Sequence, residues 1–212
     1  LAPQSTATGG GAQARRIASC ARVLYLQGVI ALLSDTHGNI AATRNALEIL
    51  APHNPRSYLH LGDIGSAEVI REFAGLPVQF LWGNNDQQRE RILYEAARIG
   101  ASVHDYLELG TAGRPIFATH GHTSRLQSAV RSDSYAAILF GHSHKALNTL
   151  NKSTRLVNPG ALYRAREYTC ALFDPLHLHV TFLYVPKGTS DIRRHNSNIS
   201  ERPAAGDESS VM

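Results

Sequence analysis

Five short apolar segments in this chain each stop at a turn that carries aspartate, asparagine or histidine beside glycine. Val29 to Leu33 runs into Ser34-Asp35-Thr36-His37-Gly38-Asn39, Ser57 to Leu61 into Gly62-Asp63, and Val78 to Trp82 into Gly83-Asn84-Asn85-Asp86. Pro115 to Thr119 runs into His120-Gly121-His122, and Ala136 to Phe140 into Gly141-His142-Ser143-His144. Short apolar runs punctuated this way read as buried strands. Between them the spacing turns helical. Ile40, Leu47 and Leu50 share one face of a helix from about Ile40 to Leu50, and Ile92, Ala96 and Ile99 share a face of a longer one. Shorter helices are expected near Ala67 to Phe73 and Ser124 to Arg131. Further extended segments are expected at about Ser102 to Leu107, Thr154 to Val157, Thr169 to Phe173 and His177 to Val185. The last alternates Leu178, Val180 and Phe182 with His177, His179 and Thr181, as a half-exposed strand does. Helices outside and two layers of strand within is the simplest packing. The expected fold is therefore α/β (α+β), a four-layer αββα sandwich with two mixed β-sheets flanked by helices.

With 43% hydrophobic and 18% charged residues over 212 positions, one globular domain is expected rather than a disordered or fibrous chain. No apolar run approaches the roughly 18 residues of a spanning helix, which argues against a membrane protein. Cys20 and Cys170 are too few for a disulfide framework or a cysteine zinc site, so a reducing, cytoplasmic compartment is expected. The net charge of +4 would suggest nucleic acid, but its placement removes the suggestion. Residues 28 to 185 hold 14 Lys and Arg against 13 Asp and Glu, while residues 1 to 27 carry Arg15, Arg16 and Arg22 with no acid. No dedicated nucleic-acid surface is expected. Residues 1–27 read as a flexible extension, with organellar import as one reading of it, residues 28–186 as the domain, and residues 187–212 as a polar tail.

In sheets of this kind reactive groups gather beyond the carboxyl ends of strands. The five turns are therefore expected to be neighbours. Asp35 and His37, at i and i+2 of an extended segment, would point the same way and reach one ion together, and His142 and His144 repeat the device. Glycines beside the ligands let the backbone approach an anion without a Cβ clash.

The ordered series Asp-x-His, Gly-Asp, Gly-Asn, His-Gly and Gly-His-x-His resembles the calcineurin-like metallophosphoesterases, especially their small single-domain prokaryotic phosphodiesterases, the YfcE-like branch. The resemblance covers roughly residues 28 to 185 and includes His60-Leu61-Gly62-Asp63 and Val157-Asn158-Pro159-Gly160. It implies two divalent ions, with Asp35, His37 and His144 on the first, Asn84, His120 and His142 on the second, and Asp63 bridging. This donor mixture suits manganese, nickel, zinc or iron better than magnesium. Manganese heads that set. The implied activity is phosphoesterase, with a hydroxide bridging the two ions attacking phosphorus in line. Many larger relatives carry histidine after the Gly-Asn asparagine as proton donor, and here that residue is Asn85. A neutral amide is no general acid, so Asp86, His122 or a metal-bound water becomes the candidate donor and diesters or activated esters the expected substrates.

A single Asp-x-His or Gly-Asp is usually a capped turn; five in order are not. Asn39 and Asn85 are candidate substrate contacts, although local turn hydrogen bonding is the commoner use of Asn39. His60 reads as a packed imidazole rather than a ligand, and Asn158-Pro159-Gly160 as a tight turn. The expected partner is a small phosphate ester, with homo-oligomerisation open. Two other readings remain. One is a protein-interaction scaffold of the same fold, as in a retromer subunit. The other is a mononuclear hydrolase built on His120 to His144 alone, which leaves Asp35, His37, Asp63 and Asn84 unexplained.

Overall fold

The computed structural model describes residues 24–25, 28–111 and 113–187. Its strands are β1 (Leu24–Tyr25), β2 (Ile30–Leu33), β3 (Ser57–His60), β4 (Val78–Leu81), β5 (Ser102–His104), β6 (Tyr106–Gly110), β7 (Ile116–Thr119), β8 (Ala137–Phe140), β9 (Leu147–Asn151), β10 (Thr154–Asn158), β11 (Tyr168–Asp174) and β12 (His179–Val185). The helices are α1 (Ile40–Leu50), α2 (Ala67–Arg71), α3 (Arg89–Arg98) and α4 (Ser124–Ser132).

Two mixed sheets form, in the orders β12-β11-β2-β3-β4-β5 and β1-β6-β7-β8-β10-β9. Alternation of side chains across each strand builds three apolar layers. Ile30, Leu32, Leu59, Leu61 and Leu81 of the first sheet meet Leu107, Ile116, Ala118, Leu139 and Val157 of the second. On the other face of the first sheet, Leu33, Tyr58, Phe80 and Trp82 pack against Ala46 and Leu50 of α1, Ile70 of α2 and Ile92 of α3. On the outer face of the second sheet, Phe117 and Ile138 pack with Ala129, Leu126 and Val130 of α4. The result is the αββα sandwich expected from the alternation of elements. Among the described residues no helix is long and apolar enough to cross a membrane.

Three local expectations need correction. The segment Ser102 to Leu107 is two strands in different sheets: β5 pairs with β4 and β6 with β7, and the chain crosses over at Asp105. Strand β9 was not anticipated. All of its residues are exposed, because it is an edge strand and carries no buried face whose pattern would reveal it. Within the segment read as an extension, Leu24 and Tyr25 pair in parallel with Leu109 and Gly110, so the second sheet recruits backbone from before residue 28. The rest of residues 1–27, Cys20 among them, and residues 188–212 lie outside the described residues. Cys170 is buried and, among the described residues, free. Lys187, placed in the tail, donates to the carbonyls of Ala165 and Arg166, both at 2.8 Å.

Candidate metal centre

Strands β2, β3 and β4 are mutually parallel, as are β7 and β8, and the five motif turns follow their carboxyl ends. Backbone bonds zip the first two turns together: Asp35 N–H donates to Gly62 O at 3.0 Å, His37 N–H to Asp63 O at 2.9 Å and Gly38 N–H to Ile64 O at 2.9 Å. Two bonds cross between the sheets here. His120 Nδ1–H donates to Leu61 O at 2.7 Å, and His142 N–H donates to Asp35 Oδ2 at 2.9 Å.

Two triads result, Asp35 with His37 and His144, and Asp63 with His120 and His142, the ligand atoms in each lying within 4.8 Å of one another. Asp63 Oδ2 stands 3.4 Å from His37 Nε2 and 3.4 Å from His120 Nε2, so one carboxylate oxygen faces both triads. Asp35 Oδ1 lies 3.3 Å from His144 Nε2 and 3.9 Å from His37 Nε2.

Donors of this type suit divalent cations, and their protonation fits that use. Carbonyls only accept, so His120 and His144, whose Nδ1 atoms meet Leu61 O and Tyr163 O, carry their protons there and turn Nε2 lone pairs inward. Asp35 Oδ2 accepts from Ser34 Oγ at 2.6 Å, yet Asp35 Oδ1 and His120 Nε2 are buried without any hydrogen-bond partner. A native fold rarely leaves buried polar atoms orphaned, and a cation between the triads would satisfy both. The electrostatics agree. Burial alone disfavours charge on His120, but the Asp63 and Asp35 carboxylates outweigh it and raise its pKa. Burial alone would raise the Asp63 carboxyl, but the His120 imidazole 3.4 Å away and the hydrogen bonds from Asn85 hold it below the usual carboxylate range. The cavity therefore favours positive charge.

Geometry revises how the ligands converge. Asp35 and His37 do not lie in an extended segment: their φ values are 54° and 45°, and Asp63, His142 and His144 have 54°, 67° and 56°. All five occupy the left-handed region that side chains other than glycine seldom adopt. Tight turning, not strand alternation, brings each pair together. The turns also touch closely, so that a Cβ on Gly141 would overlap Ser34 Oγ.

The remaining sequence candidates lie around the two triads. Asn84 is exposed, and among the described residues no hydrogen bond joins it to either triad. Its neighbour Asn85 instead donates to Asp63 through N–H at 2.8 Å and Nδ2 at 2.7 Å, which commits to Asp63 the groups expected to meet substrate. Asp86, a candidate proton donor, is buried and accepts from Gly65 N–H and Gly83 N–H, both at 2.8 Å; it ties two turns together. Asn39, a candidate substrate contact, caps α1 through Oδ1 and donates to Leu162 O at 2.8 Å. His122 is exposed, its ring 5.4 Å from that of His120 and 6.3 Å from that of His142. Asn158 does more than turn the chain, since Nδ2 donates to Gly141 O at 2.7 Å and Ser143 Oγ at 3.1 Å, clamping the histidine turn. Ser34 and Tyr163 escaped sequence reasoning. Ser34 adjoins Asp35 and could have been suspected, whereas Tyr163, with its ring 5.0 Å from that of His37, lies in no motif.

His60 is fully buried, as a packed imidazole should be. Gly62 N–H donates to its Nδ1, so Nε2–H donates to Thr36 Oγ1 at 3.0 Å, and Thr36 Oγ1 donates to Ile64 O at 3.0 Å. This chain of bonds joins the Asp35 and Asp63 turns. Burial, with the nearby His120 charge, pushes the His60 pKa down to about 3 from its ordinary 6.5. Between those values the unfolded chain takes up a proton that the folded one refuses, so stability is lost as pH falls from 6.5 towards 3, by about 1.4 kcal/mol per unit. Above pH 6.5 the imidazole is neutral in both states and contributes no slope. Urea unfolding of chelated protein across that window is expected to show this slope in the parent, and His60→Gln to lack it. Equal slopes would refute the assignment.

The chain belongs to the calcineurin-like phosphoesterase superfamily, whose domain model matches residues 29–176. A phosphodiesterase of Methanocaldococcus jannaschii is 31% identical over 136 residues, 62% of this chain and 82% of that protein. The solved structure of an archaeal phosphodiesterase superposes with a TM-score of 0.68 at 26% identity, covering 74% of this chain and 99% of the other. Zinc-complexed Vps29 of Entamoeba histolytica, at 15% identity and a TM-score of 0.54 over 76% of this chain and 99% of its own, shares the fold.

Proposed function

We propose that residues 28–186, with the strand Leu24–Tyr25 paired to their second sheet, form a single catalytic domain that hydrolyses phosphodiesters with the help of two divalent cations, Asp63 lying between them. The observation that carries this reading is Asp63 Oδ2, equidistant at 3.4 Å from the imidazole nitrogens of His37 and His120 in different triads. Asp35, His37 and His144 would hold one cation, and Asp63, His120 and His142 the other. Cations in such a site supply charge neutralisation at phosphoryl oxygens and an acidified water. The chain's own residues do the positioning. Ser34 and the His142 amide fix the Asp35 carboxylate, Asn85 fixes Asp63, and Leu61 O and Tyr163 O fix the His120 and His144 tautomers. His122, exposed beside the second triad, is the imidazole placed to exchange a proton with a leaving group at the mouth.

Because Asn85 cannot donate a proton and Asp86 is committed to backbone amides, strongly basic leaving groups are poorly served. Bis(p-nitrophenyl) phosphate is expected to be cleaved at least tenfold faster than a sugar monophosphate. Chelation should stop that cleavage and manganese restore it, with metal analysis returning two equivalents per chain. A single equivalent at full activity, or faster turnover of the sugar phosphate, would sink the reading. The scaffold alternative rests on shared fold alone.

A further inference from the structure

Arg89 is the first residue of α3, and its guanidinium carbon lies 4.8 Å from the centroid of the Trp82 ring. Residues 82 and 89 flank the turn that carries Asn85, on Asp63, and Asp86, on the amides of Gly65 and Gly83. The stacked pair therefore stands at the base of a turn that touches the second triad directly.

The neighbouring arginines are all paired. Arg91 reaches Glu68 at 3.5 Å, and Arg71 and Arg98 reach Glu95 at 3.1 and 2.6 Å. Arg89 differs: among the described residues no carboxylate comes within 4.0 Å of it and no hydrogen bond engages it. It is exposed, yet stacking holds it in place. Its position is also electrostatically unfavourable, because a cation in the first turn of a helix opposes the positive end of the helix dipole. An anion arriving there would meet both the guanidinium and that dipole. Lying over the ring and hydrogen-bonded to no described residue, the guanidinium keeps its N–H donors for a bidentate acceptor, which phosphate oxygens supply.

We propose that Arg89, held on Trp82, is a second anion-binding site beside the metal centre that selects substrates carrying a further phosphate group. The site deepens the phosphodiesterase reading by naming the substrate class: diesters with a second phosphate near the scissile one, as in a nucleotide phosphorylated at both the 3′ and 5′ positions. Its binding test does not depend on turnover.

Trp82 is the only tryptophan in the chain, so its emission reports on the stack directly. Zinc-loaded protein titrated with thymidine 3′,5′-bisphosphate is expected to show a saturable emission change at a concentration at least tenfold lower than with thymidine 5′-monophosphate. Arg89→Gln should bring the two within twofold, and Arg89→Lys, which keeps the charge but not the fork, should fall between. Kinetics supply a second arm. The p-nitrophenyl ester of thymidine 5′-phosphate should be cleaved with about tenfold higher kcat/KM when it bears a 3′-phosphate, the gain lying in KM, and Arg89→Gln should erase that ratio. Equal affinities in the parent, or a preference that survives Arg89→Gln, would overturn the proposal. If neither ester is hydrolysed but the Arg89-dependent binding preference holds, the hydrolase reading falls and the anion site stands.

Discussion

Asp63→Asn should lower metal-dependent cleavage of bis(p-nitrophenyl) phosphate by roughly three orders of magnitude, about 4 kcal/mol of transition-state stabilisation, while leaving the fold intact. The substitution is close to isosteric. With its oxygen kept for the Asn85 backbone amide, its NH2 group takes the place of Oδ2 and faces both Asn85 Nδ2 and the imidazoles of His37 and His120. An amide cannot serve two cations as an anionic acceptor, so metal content is expected to fall from two equivalents to one or fewer. Circular dichroism and metal analysis on the same preparation separate loss of ligand from loss of fold. Retention of two equivalents together with activity would remove Asp63 from between the triads.

Gly83→Ala is expected to damage both stability and activity although it adds one methyl group. A Cβ at Gly83 would lie 2.7 Å from Asp63 Cα and overlap the Asp63 backbone nitrogen, and backbone cannot swing aside as a flexible side chain can. One of the two turns must move. Overpacking of this kind costs about 2 kcal/mol, which for a chain of this size lowers Tm by roughly 4–8 °C. Displacing Asp63 relative to His37 and His120 should also reduce turnover by about 100-fold. Thermal unfolding with and without manganese checks both parts: the mutant should melt lower and gain less from the metal than the parent. A variant that melts and reacts like the parent would mean that the turns approach less closely than described.

The fold was legible where a buried face imposed a period. The five apolar runs gave their strands within a residue or two, and α1 spans Ile40–Leu50 as its spacing required. It was illegible where burial imposed none: β9 presents exposed residues throughout, and nothing in Ser102 to Leu107 marks the change of sheet at Asp105. The site divides similarly. The grouping of candidates could be read because aspartate and histidine at strand ends have few other reasons to recur in order: Asp35 comes together with His37 and His144, and Asp63 with His120 and His142, while Asn84 joins neither group. Supporting contacts could not be read. Asparagine bonds equally well to backbone, carboxylate or substrate, so only coordinates could send Asn85 to Asp63, Asn39 to the α1 cap and Asn158 to the Gly141 turn.

The left-handed backbone of Asp35, His37, Asp63, His142 and His144 sets the candidate metal centre against the stability of the domain that carries it. Each such residue is strained by roughly 1–3 kcal/mol, and glycine at any of them would relieve that strain while deleting a candidate metal ligand. Selection for thermal robustness alone would thus erode this centre residue by residue, and a hardened but inert descendant should be recognisable by glycines in place of its ligands.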